Sequence, residues 1–316
     1  MVTVMTTNEA KKLTPSPVLL IDASIYIFQY YFSLPDNWFS EKECCPTAAV
    51  YGYTAWLVRL LKAEQPARVA ACFDESLDQC FRNDIYSDYK SSRALPDEAL
   101  AFQLNACQKI THLLGINTYA SHRYEADDLL GSLYRICCRS TVPIAILTRD
   151  KDLGQLLQRP QDYLWDYAKK QQYDEQGIAE KFLVRPDQLV DYLALVGDAI
   201  DDIPGVPGIG AKTASALLKH YGSIEIMLSQ LDELLLSPPV GVRGAPRIVA
   251  NLQGYREQIA IAQQLATIVT DLPLIGSVKE LDRQKVDLSK VNRFCQEMGF
   301  PALSKTIAAM CNKHMP

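Results

Sequence analysis

Three short apolar runs, each leading into aspartate, narrow the possible folds more than any other feature of this chain. Val18-Leu19-Leu20-Ile21 ends at Asp22, and Val69-Ala70-Ala71-Cys72-Phe73 ends at Asp74. Ile144-Ala145-Ile146-Leu147 is followed closely by Asp150 and Asp152. The runs are continuous rather than alternating, which suits strands buried on both faces of a parallel sheet. Helical periodicity fills the gaps over 47–64, 96–114 and 125–140, giving the alternation of an α/β fold. Ligands of open α/β sheets bind outside the carboxyl ends of the strands, so all three runs deliver carboxylates to one rim. Glu125, Asp127 and Asp128 at the start of a helix add a fourth group. The helix dipole accounts for one acid there, but hardly for three.

The segment 197–222, GDAIDDIPGVPGIGAKTASALLKHYG, adds a fifth acidic group, Asp198 and Asp201. Behind that pair, Gly208-Ile209-Gly210 opens an amphipathic helix. Its first amides have no intrahelical partner and lie at the positive end of the dipole, so they can grip a phosphate. A packing hairpin would explain the glycines but not the acids. Oxygen-only ligation by many carboxylates selects Mg²⁺ or Mn²⁺ over zinc. Two such ions about 4 Å apart would serve an in-line displacement at a phosphodiester. Any one of these acids could be a cap or a turn residue; five groups at strand ends and helix starts are harder to account for that way.

Arg82, Tyr86, Tyr89 and Arg93 recur at a spacing that predicts one helix face, with Lys90 beside it. Cations interleaved with aromatic rings suit a nucleic-acid strand; a solvated face over two buried tyrosines is the plainer alternative. From 186 onward the chain reads as mainly helical, over 186–196, the hairpin just described, and 247–270. Pro238-Pro239 with Gly241 and Gly244 marks a loop.

With 316 residues, 48% of them hydrophobic, the chain can bury one large core or two domains. No apolar run approaches the roughly 18 residues of a membrane span, and residues 1–17 form a polar tail without a signal-peptide core. Nine cysteines include the vicinal pairs Cys44-Cys45 and Cys137-Cys138 and no CxxC spacing. That argues against a disulfide framework or zinc site and for a reducing cytoplasm. The net charge of −5 argues against a nucleic-acid partner at first sight. If the nine acids of the five groups neutralise metal, the rest of the chain is net positive.

The motifs LLID, ACFD, FRNDIYSDYKSSR, YEADD, ILTRDKDLGQLL, GDAIDDIPGVPGIGAKTA and LATIVTDLPL occur in that order. On these the chain closely resembles the flap endonuclease / 5′→3′ exonuclease family, of the kind found as the 5′ nuclease domain of bacterial DNA polymerase I. The likeness runs over roughly residues 18–308, and its order and spacing make it very specific. It implies an α/β, parallel-sheet nuclease core over 18–190 with a helical arch near 78–100. A helical, helix-hairpin-helix-type DNA-binding domain would follow over 191–316, with its helix–turn–helix near 203–222. By resemblance, Asp22, Asp74, Glu125, Asp127, Asp128 and Asp150 surround a first Mg²⁺ or Mn²⁺, and Asp152, Asp198 and Asp201 a second. Lys90 and Arg93 lie in the arch and act at the scissile phosphate. Arg82, Tyr86 and Tyr89 join them on the nucleic acid, and Gly208, Gly210 and Lys212 clamp duplex DNA, with K⁺ on nearby carbonyls.

The implied protein is a stand-alone, cytoplasmic and monomeric enzyme of replication and repair. It hydrolyses branched or 5′-ended DNA, and RNA primers, with a metal-activated water. Two residues depart from the family pattern: Ala23 replaces a Gly, and Gln29 replaces an Arg seven residues past the first Asp. Restoring the cation with Gln29→Arg is expected to add one phosphate contact. Two other readings compete. One is a DNA-junction binding protein with weak or lost catalysis, motivated by Ala23 and Gln29. The other is a single-domain RNase with a similar rim, against which the duplex clamp stands.

Overall fold

The computed structural model describes residues 16–75, 80–93, 95 and 97–312. Most of the expected tail, and residues 78, 79, 94 and 96 of the expected arch, lie outside the described residues. The strands are β1 (Val18–Asp22), β2 (Val69–Asp74), β3 (Asn117–Ser121), β4 (Ile144–Leu147), β5 (Tyr163–Asp166) and β6 (Gln171–Tyr173). They form one sheet in the order β3-β2-β1-β4-β5-β6. Every neighbouring pair is parallel except β5 with β6. The three apolar runs are the three central strands. The other three carry polar or half-buried residues and have no apolar run to announce them.

The helices of the first half are α1 (Ala23–Ser33), α2 (Ala48–Glu64), α3 (Phe81–Ile85), α4 (Glu98–Leu113) and α5 (Ala126–Cys137). Those of the second are α6 (Glu175–Phe182), α7 (Leu189–Val196), α8 (Ala211–Tyr221), α9 (Ile224–Ser229) and α10 (Leu231–Leu236), then α11 (Ala245–Gly254), α12 (Arg256–Ala266), α13 (Leu288–Glu297) and α14 (Pro301–Asn312). Local chemistry starts several of them. The Asp97 carboxylate accepts the Leu100 amide at 2.8 Å ahead of α4, and the Asp128 carboxylate accepts the Glu125 amide at 3.1 Å to open α5.

Alternation along each strand divides the core between the two faces of the sheet. Leu19, Ile21, Ala71, Phe73 and Leu147 point to one face and pack with Leu57, Leu61 and Ile110 of α2 and α4. Phe294 of α13 and Ile307 of α14 close that face. Leu20, Cys72, Ile146 and Leu164 point to the other, against Leu130 and Leu133 of α5 and a core continuous with Leu195, Leu217, Leu252 and Leu265. Each such leucine, taken from water, contributes roughly 1.5–3 kcal/mol.

Three expectations need correction. Residues 191–316 do not form one helical body, because α13 and α14 return to the far side of the sheet and pack on α2 and α4. The stretch 247–270 is broken at Tyr255 into α11 and α12. Residues 81–93 are not one helix: α3 stops at Ile85, Tyr86 is extended, and turns carry the chain to Arg93. Among the described residues no helix is long and apolar enough to cross a membrane.

Candidate functional site

The order 3-2-1-4-5-6 reverses direction between β1 and β4, and the crevice outside that reversal is where such sheets hold ligands. Asp22 closes β1 there, and its Oδ2 accepts the Thr148 hydroxyl, just past β4, at 2.9 Å. Thr148 Oγ1 in turn accepts the amide of Asp150 at 2.9 Å, and Asp150 Oδ1 accepts the amide of Asp152 at 2.9 Å. On the other side Asp74 closes β2, and its Oδ1 accepts the Ala126 amide at 2.7 Å. That bond fixes the start of α5, from which Asp127 projects half-buried toward the same space.

These carboxylates disturb one another. Burial and then Asp74 push Asp22 up to about 7. Burial, followed by Asp150, Asp198 and Asp201, pushes Asp152 up to about 8. Asp127 is raised by burial and by Asp150, Asp22 and Asp74. Asp150 is raised by burial and by Asp201 and Asp198. Carboxylates sharing poorly solvated space resist ionising together. The mutual shifts place Asp22, Asp74, Asp127, Asp150, Asp152, Asp198 and Asp201 in one electrostatic cluster.

The segment after α3 covers one edge of that cluster. The Lys90 ammonium contacts Glu125 and stands 3.4 Å from Asp201 Oδ2, while Arg93 bonds the other Asp201 oxygen. The Lys90 amide donates to the Asp201 carbonyl at 3.0 Å, and the Ser92 amide to Asp202 Oδ2 at 2.9 Å. Burial alone would raise the Glu125 carboxyl; Lys90 and Arg82 overcome this and hold it below the usual carboxylate range.

Asp128 and Arg82 belong elsewhere, contrary to the sequence reading. Both Asp128 oxygens are used up, by Arg82 Nη1 and Nη2 at 2.8 Å each, by the Glu125 amide and by the Val269 amide at 2.9 Å. Asp128 is 0% exposed and has no lone pair left for an ion. Arg82, 2% exposed, spends all five N–H donors on Asp128, Glu125 and the carbonyls of Leu265 and Thr267. It ties α5 to the end of α12 and cannot reach a nucleic acid. Tyr89 is also buried, with its hydroxyl on Glu125 at 2.9 Å, and Tyr86 packs half-buried on the core. The one-face helix that would have presented both rings together does not form.

The third expected region is intact locally. Gly210 precedes α8, a Cβ built there meets nothing within 4 Å, and Ala211 and Lys212 at the helix start are exposed. Gly208 takes φ +79°, a conformation that favours glycine. Lys212 lies beyond, lining with Arg185 and Lys219 a groove of about 520 Å³ between α6 and α8. Sequence reasoning missed Arg247 and Asn251 of α11, whose side-chain nitrogens come within 3.9 and 3.8 Å of a Cβ at Gly208. The VRGAPR run was the available signal. It also missed Thr148 and Arg149. Arg149 Nη1 donates to Gln29 Oε1 at 3.0 Å, so a cation already occupies the neighbourhood where Gln29→Arg was expected to add one.

The cluster suits a hard cation. Its donors are carboxylate oxygens that repel one another, and Lys90 offsets only part of that repulsion. Among the described residues no three acid, cysteine or histidine side chains converge closely enough to hold one ion by themselves. An ion that keeps several waters meets that spacing, as Mg²⁺ does.

Residues 17–183 match the 5′-3′ exonuclease N-terminal resolvase-like domain, and residues 184–289 match the 5′-3′ exonuclease C-terminal SAM fold. A 5′-3′ exonuclease of Buchnera aphidicola (subsp. Schizaphis graminum) is 30% identical, over 90% of this chain and 97% of its own length. DNA polymerase I of Pseudomonas aeruginosa is 35% identical over 85% of this chain. The chain spans 29–32% of the length of that polymerase and its counterparts from Bacillus subtilis and Mycobacterium leprae. The fold matches that of a bacteriophage T5 flap endonuclease solved with DNA and metal ions, with a TM-score of 0.61 and 18% identity, covering 94% of this chain and 98% of that one.

Proposed function

The chain belongs to the 5′-3′ exonuclease family, and from that premise we propose that it is a divalent-metal-dependent 5′ nuclease acting on branched and 5′-ended DNA. The observation that carries this reading is the carboxylate cluster at the sheet reversal with Lys90 and Arg93 at its edge. The DNA-bound phage relative supports nucleic acid as the partner. RNA primers paired to DNA are substrates on the same reading, because cations and helix-start amides recognise phosphate rather than base edges. The chain works as a monomer in the cytoplasm, a setting consistent with nine free thiols.

Asp22, Asp74, Asp127 and Asp150 would surround one Mg²⁺ or Mn²⁺, partly through its waters, with Glu125 at its border, and Asp152, Asp198 and Asp201 a second in the same way. Bound there, the ions would activate a water and neutralise charge on the scissile phosphate. Lys90 and Arg93 exchange their contacts with Glu125 and Asp201 for the phosphate and hold it in line. Thr148 fixes the Asp22 carboxylate, and Asp74 fixes the start of α5. The loop around Gly208 and Gly210, with Lys212, grips the duplex backbone and can seat a K⁺ on its carbonyls.

The test is a 5′-labelled double-flap substrate in Mg²⁺ and then in EDTA. Metal-dependent release of 5′ fragments is expected from the wild type and none from Asp127→Ala. Binding of the flap without any cleavage in Mg²⁺ or Mn²⁺ would instead favour a junction-binding protein.

A further inference from the structure

A cavity of about 310 Å³ opens at the carboxyl ends of β4 and β5, next to Asp150. Arg149, Lys151 and Lys169 line it with Thr148, and Ile25 and Tyr173 supply apolar surface. Two carboxylates also face it. Asp166 stands 3.6 Å from the Lys169 ammonium and 3.9 Å from Arg149 Nε, loose distances for ion pairs. Asp150 turns one oxygen to the Asp152 amide. Lys151 has no carboxylate within salt-bridge distance among the described residues. The cations outnumber the carboxylates. A pocket this size, with apolar walls and a few convergent charges, has the character of a small-molecule site and is roomier than a phosphate ion needs.

We infer that this cavity is a subsite for a nucleotide bearing a terminal phosphomonoester, with its phosphate on Arg149, Lys151 and Lys169 and its base against Tyr173 and Ile25. The inference rests on the nuclease reading, because hydrolysis that leaves phosphate on the 5′ side creates this group at every cut. A dianionic phosphate takes the guanidinium fork of Arg149 and the point charges of the two lysines. Gln29 contributes by holding Arg149 at the mouth through the 3.0 Å bond. The group has two sources, the released mononucleotide and the 5′ end of the bound strand.

Titration in EDTA, where no metal can bridge phosphate, separates this site from the metal cluster. Thymidine 5′-monophosphate is expected to bind and inorganic phosphate to compete with it, while thymidine does not bind. Lys169→Gln and Arg149→Gln should each weaken the nucleotide about tenfold, as loss of a charge-assisted hydrogen bond to phosphate does. Circular dichroism should show both variants folded. Equal affinity of the wild type and both variants, or equal binding of thymidine and its monophosphate, overturns the subsite.

One nicked duplex prepared with 5′-phosphate and with 5′-hydroxyl then distinguishes the sources. A lower KM for the phosphorylated end, lost in Lys169→Gln, assigns the pocket to the substrate strand. Equal KM values with competitive inhibition by the monophosphate assign it to the product. Equal KM values and no inhibition remove it from the reaction. A protein that cleaves neither duplex would sink the nuclease reading while leaving the metal-free titration interpretable.

Discussion

At the scale of single residues, neighbouring acids have opposite duties. Asp127 faces other carboxylates, whereas Asp128, one position on, is fully spent on Arg82 and on the Glu125 and Val269 amides. Removing one partner of a buried ion pair leaves the other charge unpaired and typically costs about 3–5 kcal/mol. Arg82→Ala should therefore lower the unfolding free energy by roughly that amount in urea titrations, with the midpoint shifted and the slope little changed. A loss below about 0.5 kcal/mol, the range of an ordinary surface substitution, would mean Arg82 is exposed after all. Gln29 gives a second expectation. With Arg149 already bonded to Gln29, a Gln29→Arg substitution sets two guanidiniums against each other and removes the acceptor. Substrate affinity should stay level or fall, with no steeper salt dependence. A slope steeper by about one unit, the worth of one new phosphate contact, would show instead that the side chain swings onto DNA.

At the scale of elements, the start of α8 allows a clean separation of binding from folding. A side chain at Gly210 enters open space, so Gly210→Glu has no clash to relieve. A carboxylate ahead of a helix favours its dipole, so thermal stability should hold or rise slightly. The same carboxylate stands where phosphate would approach, so duplex affinity should drop and its salt dependence flatten. Unchanged affinity across a salt series would mean the loop does not meet DNA. This element was legible in the sequence because glycine spacing, an acidic pair and a helical period coincide within 26 residues. The central strands were legible for a similar reason: a short, unbroken apolar run ending in aspartate fits little besides a strand covered on both faces. The segment 81–93 was misread because its helical spacing is real, while the forces on it are long-range. Arg82 bonds carbonyls 183 and 185 residues away, and Tyr89 reaches Asp201, 112 residues on. No local period encodes such partners. Strand β3, reading NTYAS, and the return of α13 and α14 across the sheet were hidden for the same reason.

For the whole molecule, the sheet gathers its acids at one edge while two helical layers seal its faces, so the fold bears the repulsion that the candidate metal site creates. Asp22 and Asp152 are pushed up to about 7 and about 8, and burial with neighbouring carboxylates is the cause in both. Without metal that repulsion opposes folding, because the unfolded chain disperses the same charges into water. Removing one charge should then stabilise the metal-free protein. In EDTA at neutral pH, Asp127→Asn is expected to raise the unfolding free energy by on the order of 1 kcal/mol. With Mg²⁺ present the order should invert. The wild type gains stability by binding, about 2.7 kcal/mol at a hundred times the dissociation constant, and the variant, short of one ligand, gains less. Calorimetric melting of both proteins in EDTA and across a Mg²⁺ series measures the crossing directly. Parallel curves, with the variant below the wild type in both conditions, would mean Asp127 is a structural acid like Asp128. The candidate metal site would then have to be built without it.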